Sequence, residues 1–158
     1  MGDELREFLE RHRGGKIVVV GVGNTLRGDD GVGPKFVERI KDFTSDRFVA
    51  IDAGEVPENY LGKVAKLQPD VIILVDATNM GETPGTMKVL TREAIEGEAF
   101  FTHKLPLSFV MKYWEDEGFK VFLIGIQPEQ LEFGKGLSPR VTKALEELVK
   151  IFRNAVTQ

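Results

Sequence analysis

Asp29, Asp30, Asp52, Asp76 and His103 are the residues whose types and places could do chemistry in this sequence. The run Ile17-Val-Val-Val20 leads through Gly21-Val-Gly23 to Asp29 and Asp30. Phe48-Val-Ala-Ile51 ends at Asp52, and Val71-Ile-Ile-Leu-Val75 ends at Asp76. Thr102-His103-Lys104 stands just ahead of a helical pattern. In open α/β sheets ligands collect beyond the carboxyl ends of the strands, so acids and an imidazole recur at one end of such a sheet. Two carboxylates and a neutral imidazole, Asp30, Asp76 and His103, would neutralise a divalent cation. They would also leave coordination positions open for water or substrate, as a catalytic site requires. This donor set suits zinc, nickel or iron better than copper(I), which prefers sulfur. The long gaps between the three match no local metal motif, so only the fold could bring them together.

Each residue also has a plainer reading. On residue type alone, capping of the helix that starts near Gly33-Pro34 is the stronger reading of Asp29 and Asp30. Asp76 could close a turn, although an acid ending the most apolar strand favours function. Asp52 could orient its own loop or a ligand, and His103 could be an ordinary loop histidine. His12, between Arg11 and Arg13, reads as solvated. Trp114 and the Phe residues at helical spacing read as core, and Glu55 and Glu58 as first-turn helix charges. Gly21-Val-Gly23 invites a dinucleotide reading, but Leu26 stands where a G-x-G-x-x-G run needs glycine. Asp29 and Asp30 would also repel a pyrophosphate.

The elements that must position these residues alternate from end to end. Residues 3–13 place Leu5, Phe8 and Leu9 on one helical face. Val32, Phe36, Val37 and Ile40 mark the next helix, and residues 57–67 a third, with Tyr60, Leu61, Val64 and Leu67 inward. Residues 86–91 alternate as an edge or antiparallel strand would. Phe109, Val110, Tyr113 and Trp114 form a helical stripe, and Val121-Phe-Leu-Ile124 is the last strand. Val141, Leu145, Leu148, Phe152 and Val156 mark a C-terminal amphipathic helix. Continuously apolar strands are buried on both faces, which predicts parallel strands covered by helices. The expected fold is a three-layer α/β/α sandwich. It forms one domain over residues 1–158, with residues 1–15 an N-terminal helical extension.

Composition narrows the classes further. A chain of 158 residues, 42% hydrophobic and 29% charged, is long enough for one sizeable core. A formal charge of −4 argues against broad nucleic-acid binding, which needs a basic face. No stretch approaches the roughly 20 apolar residues that span a bilayer, and the polar start Met1 to Glu7 reads as neither signal nor transit peptide. There is no cysteine, hence no disulfide, thiolate ligand or cysteine nucleophile. The expected location is the cytoplasm and the expected state a monomer.

Several ordered motifs resemble the hydrogenase maturation endopeptidases, which remove a C-terminal extension from the large-subunit precursor of nickel–iron hydrogenases. They are Gly21-Val-Gly-Asn24 with Gly28-Asp-Asp-Gly-Val-Gly33, Asp52-Ala-Gly54, Pro57-Glu-Asn59 and Val75-Asp-Ala-Thr78. Pro84-Gly85, Thr102-His-Lys-Leu-Pro106 and Gly125-Ile-Gln-Pro128 complete the set. The likeness covers residues 16–156. It departs at Ala53, where the family often has a second glycine, and the first fifteen residues have no counterpart.

The resemblance implies a five-stranded mixed sheet, mostly parallel, with the fourth strand (about 86–91) antiparallel. It implies metal-contacting and catalytic roles for Asp30, Asp76 and His103; on residue chemistry, Asp52 and Asp29 are further candidates for a base. It implies that the nickel is substrate-borne and seated in the precursor, so that only a loaded precursor is cut. Another divalent metal such as zinc could occupy the same place. No His-Glu-x-x-His helix or Gly-x-Ser-x-Gly elbow points to another protease class. The partner is then the large-subunit precursor, contacted near residues 79–85 and 97–104, with no nucleic acid and no membrane. The alternatives are a nickel-delivery chaperone without protease activity and a nucleotide-binding domain.

Overall fold

The computed structural model describes residues 2–98 and 107–157. Five strands form one sheet: β1 (Ile17–Val22), β2 (Phe48–Gly54), β3 (Val71–Ala77), β4 (Met87–Leu90) and β5 (Lys120–Ile126). Their order is β2-β1-β3-β5-β4. β1 pairs in parallel with β2 and β3, and β3 with β5; β4 runs antiparallel to β5 at the edge. The expected mixed sheet, with its fourth strand antiparallel, is what forms.

Helices α1 (Gly2–His12), α2 (Val32–Arg39) and α6 (Pro139–Val156) cover one face. Helices α3 (Leu61–Lys66), α4 (Arg92–Glu98) and α5 (Leu107–Asp116) cover the other. Every residue of β1 and β3 is buried, because each central strand feeds both layers. Ile17 and Val19 enter the core under α1, α2 and α6, while Val18, Val20 and Val22 enter the opposite core. The period-two alternation of a strand divides them in this way.

Three details differ from expectation, each for a physical reason. Strands β2 and β3 continue through Asp52 and Asp76, which pair with Gly21 and Gly125. Asp is disfavoured in strands, yet the buried backbone of the central strand β3 needs ladder partners, while Asp52 lies exposed on the edge strand β2. Residues 57–67 divide into a 3-10 turn, Pro57–Tyr60, followed by α3. In α5, Val110 and Trp114 are wholly buried while Phe109 and Tyr113 are exposed. Neighbouring positions lie about 100° apart round a helix, so the inward face is Leu107, Val110, Met111 and Trp114.

His12 is also more than a solvated residue. Its ring packs 4.9 Å from Phe8 and 5.5 Å from Phe122. Burial lowers its pKa from the ordinary value, helped by the charges of Lys120 and Arg11.

The feature that positions the site is the close seat of α2. A Cβ on Gly33 would lie 2.3 Å from the Val75 carbonyl oxygen and 2.5 Å from that of Val22. A Cβ on Gly21 would lie 2.5 Å from the Gly33 oxygen. The first turn of α2 therefore rests on the backbone of β1 and β3 where both strands end.

Candidate active site

The strand order reverses at β1, which has β2 on one side and β3 on the other. In open α/β sheets a switch point of this kind is where ligand crevices form, here beyond the carboxyl ends of β1 and β3. Two acids predicted from sequence come to it. Asp30 lies in the 3-10 turn Gly28–Gly31 after β1, and this turn packs against β3. Asp76 lies at the end of β3, one residue past Val75, whose carbonyl meets Gly33. Both are buried, Asp30 at 3% and Asp76 at 0% exposure. Carboxylates are seldom so enclosed without a polar or ionic role.

The loop that carries Asp30 is closed by its own backbone. The Asn24 amide donates to Asp30 Oδ2 at 2.9 Å. Gly23 has φ of 150°, and a Cβ there would fall 1.8 Å from the Asp30 carbonyl oxygen, so only glycine fits. Asp76 shares strand parity with Ile72 and Leu74, which enter the core under α3, α4 and α5. Beyond it, the Thr78 amide donates to the Ile126 carbonyl at 2.9 Å. Gln127 Oε1 accepts from the amides of Met80 at 2.6 Å and Glu82 at 3.2 Å. The loop leaving β3 is thus tied to the end of β5.

Asp29 has a different task from its neighbour. It is fully buried, and its carboxylate accepts from the Glu129 and Gln130 amides at 2.8 and 3.1 Å. It also accepts from the Ser138 amide at 2.7 Å and the Ser138 hydroxyl at 2.8 Å. These bonds fasten the connection between β5 and α6 to the turn that holds Asp30. Neither acid caps α2: its N-cap is Gly31, with no side-chain hydrogen bond, so the capping reading is corrected. The partners of Asp29 lie a hundred residues away, beyond any local sequence signal.

Asp52 is exposed, and its Oδ1 accepts from the Gly54 amide at 2.9 Å, a local turn that leaves the carboxylate facing solvent. Glu58 sits in the first turn of the 3-10 helix as expected. Yet its Oε2 is buried and has no hydrogen-bond partner among the described residues. It is not a simple solvated charge. His103 lies outside the described residues, as do Thr102 and Lys104. Among the described residues no three His, Cys, Asp or Glu side chains gather into a metal-holding group. The described part of the predicted set is therefore the two buried carboxylates. No helix among the described residues is long and apolar enough to cross a membrane.

An α/β/α sheet with two buried acids near its switch point is an architecture that many enzyme families share, and comparison with known proteins shows which family this chain joins. A family model described as HycI, hydrogenase maturation protease, matches residues 34–155. The chain is 33% identical over 131 residues to the hydrogenase 3 maturation protease of Escherichia coli K12, covering 82% of this chain and 83% of that protein. It is 33% identical over 142 residues to the hydrogenase 2 maturation protease of the same strain, covering 83% and 84%. Among solved structures it resembles the nickel–iron hydrogenase maturation protease HycI of Thermococcus kodakarensis KOD1. That likeness has a TM-score of 0.87 and 32% identity, and covers 96% of this chain and 99% of that one. The chain belongs to the hydrogenase maturation protease family.

Proposed function

We propose that this chain is a cytoplasmic, monomeric endopeptidase that removes the C-terminal extension of a nickel–iron hydrogenase large-subunit precursor after nickel insertion. The observation that carries the reading is the burial of Asp30 and Asp76 at the switch-point crevice of a maturation-protease fold. Nickel arrives as part of the substrate. Asp30 and Asp76, with His103 from the chain between α4 and α5, dock onto it. Their combined charge of −2 matches a divalent ion, and an imidazole completes a borderline donor set. Zinc satisfies the same donors and competes for the place.

Within this scheme the four acids divide the work. Asp30 and Asp76 hold the substrate's metal. Asp29, whose oxygens are taken by the 129–138 segment, keeps the Asp30 turn in place. Asp52 faces solvent at the end of β2 and is the better placed of the two remaining acids to accept a proton from attacking water. The metal supplies Lewis acidity toward the scissile region when it is seated there. Selectivity for a loaded precursor then follows without a separate sensor, because the docking group is the nickel itself.

Intact-mass measurement of nickel-loaded precursor after incubation with the chain tests this. The expected result is a product shorter by the C-terminal extension, with nickel-free precursor left whole. Equal cleavage of both forms would remove the nickel checkpoint. Metal capture with an unshortened precursor would instead assign the chain to nickel delivery.

A further inference from the structure

The large hydrophobic side chains that folding leaves outside are not scattered. Among the described residues they are Leu26, Val56, Phe109, Tyr113 and Phe133. Leu26 follows β1, Val56 follows β2 and Phe133 follows β5, so all three stand at the end of the sheet that holds the crevice. Phe109 joins them in the first turn of α5, the helix that runs back toward the start of β5. Only Tyr113 lies a turn further down.

Leu26 and Phe133 are the most informative pair, exposed by 59% and 74%. They sit on two loops that are zipped together. Arg27 and Phe133 form an antiparallel bridge, and the Gly134 amide donates to the Leu26 carbonyl at 2.7 Å. The Gly28 amide donates to Lys135 O at 3.0 Å, and the Asp29 amide to Gln130 O at 2.9 Å. The Asp29 carboxylate bonds described above fix the same loops from beneath. Two apolar side chains are therefore held in water on a hydrogen-bonded platform, a few residues from Asp30. Neither belongs to the packed cores. A surface ordered before its partner arrives loses less entropy on binding.

We propose that Leu26 and Phe133 form the docking surface for apolar side chains of the folded precursor beside its scissile segment, a reading that rests on the proposed protease function. Continuity with the crevice selects this occupant, because a precursor whose metal reaches Asp30 must lie across the adjoining rim. The charges around the pair are mixed, with Arg27 and Lys135 beside Glu129 and Glu132. An anionic lipid surface would call for a basic rim instead. A second copy of the chain seated here would cover the crevice that cleavage needs open.

Steady-state cleavage of nickel-loaded precursor by the Leu26→Ser/Phe133→Ser double variant tests the proposal, with Phe133→Ser alone as a milder form. The expected result is a rise in KM of at least about tenfold with kcat within about twofold. Phe133→Leu should recover most of the loss. Thermal melts should match the wild type, since both side chains are exposed. An unchanged KM in the double variant, with an active wild type, overturns the docking pair while leaving the protease reading intact. A wild type that leaves the precursor whole sinks the protease reading and this surface with it. A wild-type dimer that the double variant dissolves, seen by sedimentation, overturns the proposal in favour of self-association.

Discussion

At the scale of single residues, Asp29 and Asp30 show how neighbouring acids acquire unrelated tasks. Their peptide units are consecutive, but Asp29 looks toward the 129–138 segment and Asp30 toward Asn24. Replacing Asp29 by Ala would strand the buried Ser138 amide and hydroxyl, together with the part-buried amides of Glu129 and Gln130. Unsatisfied buried donors cost about 1–3 kcal/mol each before relaxation. Asp29→Ala is therefore expected to lower stability by about 3 kcal/mol and to loosen the Asp30 turn. Urea unfolding reads the first effect and precursor cleavage the second. Asp76→Ala should behave oppositely: cleavage of loaded precursor is abolished while the protein still folds, checked by intact mass and circular dichroism on one sample. A normal processing rate in that variant would end the metal-docking role. His12 offers a separate test. Because burial lowers its folded pKa, the unfolded chain binds the proton more readily. Its stabilising contribution is whole above about 6.5, the unfolded value, and declines as pH falls through that value toward the folded one. Melting temperatures at about pH 7.5 and 5.5 should fall further for wild type than for His12→Phe. Equal falls would refute the assignment.

At the scale of elements, the site depends on how closely α2 can approach the ends of β1 and β3, and glycine sets that distance. Gly33→Ala would press a methyl group against two carbonyl oxygens at 2.3 and 2.5 Å. The helix must move, so a loss of about 3 kcal/mol is expected, together with impaired cleavage. Gly62, in α3, meets nothing within 4 Å. Gly62→Ala should stabilise by about 0.5 kcal/mol through helix propensity alone. Chemical denaturation of the two variants side by side checks both signs. Much of this architecture was legible in the sequence, because continuous apolar runs such as Val71 to Val75 can only be buried on both faces. The edge strand at 87–90 announced itself by alternation. The α5 stripe was half legible: Trp114 is too large and apolar to face outward, whereas Phe109 next to Val110 cannot share its direction. What sequence could not supply was the pairing of Asp29 with Ser138, or of Gln127 with Met80, since such bonds join loops that only the closed sheet brings together. The place of Asp76 at the carboxyl end of β3 was legible from its apolar run, whereas residue type alone read Asp30 as a helix cap and only the fold shows it buried in the turn after β1.

At the scale of the whole molecule, the proposed site and a second tied seam lie at opposite ends of the strands. The carboxyl end of the sheet carries the buried acids, the tied loops and the exposed apolar rim. The opposite end is a tight seam, at the start of the strands. There the Lys16 amide donates to Asp70 Oδ2 at 2.6 Å, and the Asp70 amide to the Lys16 carbonyl at 2.8 Å. Arg47 Nη2 donates to the Gly14 carbonyl at 2.7 Å, which joins the start of β1 to the approach to β2. Helix α1 adds Leu5, Phe8 and Leu9 to the core shared with α6. Among the described residues, the hydrogen bonds of this seam join residues 14, 16, 47 and 70 and include neither Asp30 nor Asp76. Asp70→Ala should therefore lower stability by about 1 kcal/mol, the worth of a hydrogen bond to an exposed carboxylate. Cleavage per folded molecule should stay at the wild-type rate. Urea unfolding and precursor processing on the same preparation measure both quantities. If Asp70→Ala slowed cleavage as Asp29→Ala is expected to, the two ends would be coupled through the central strands and the division of labour would be wrong.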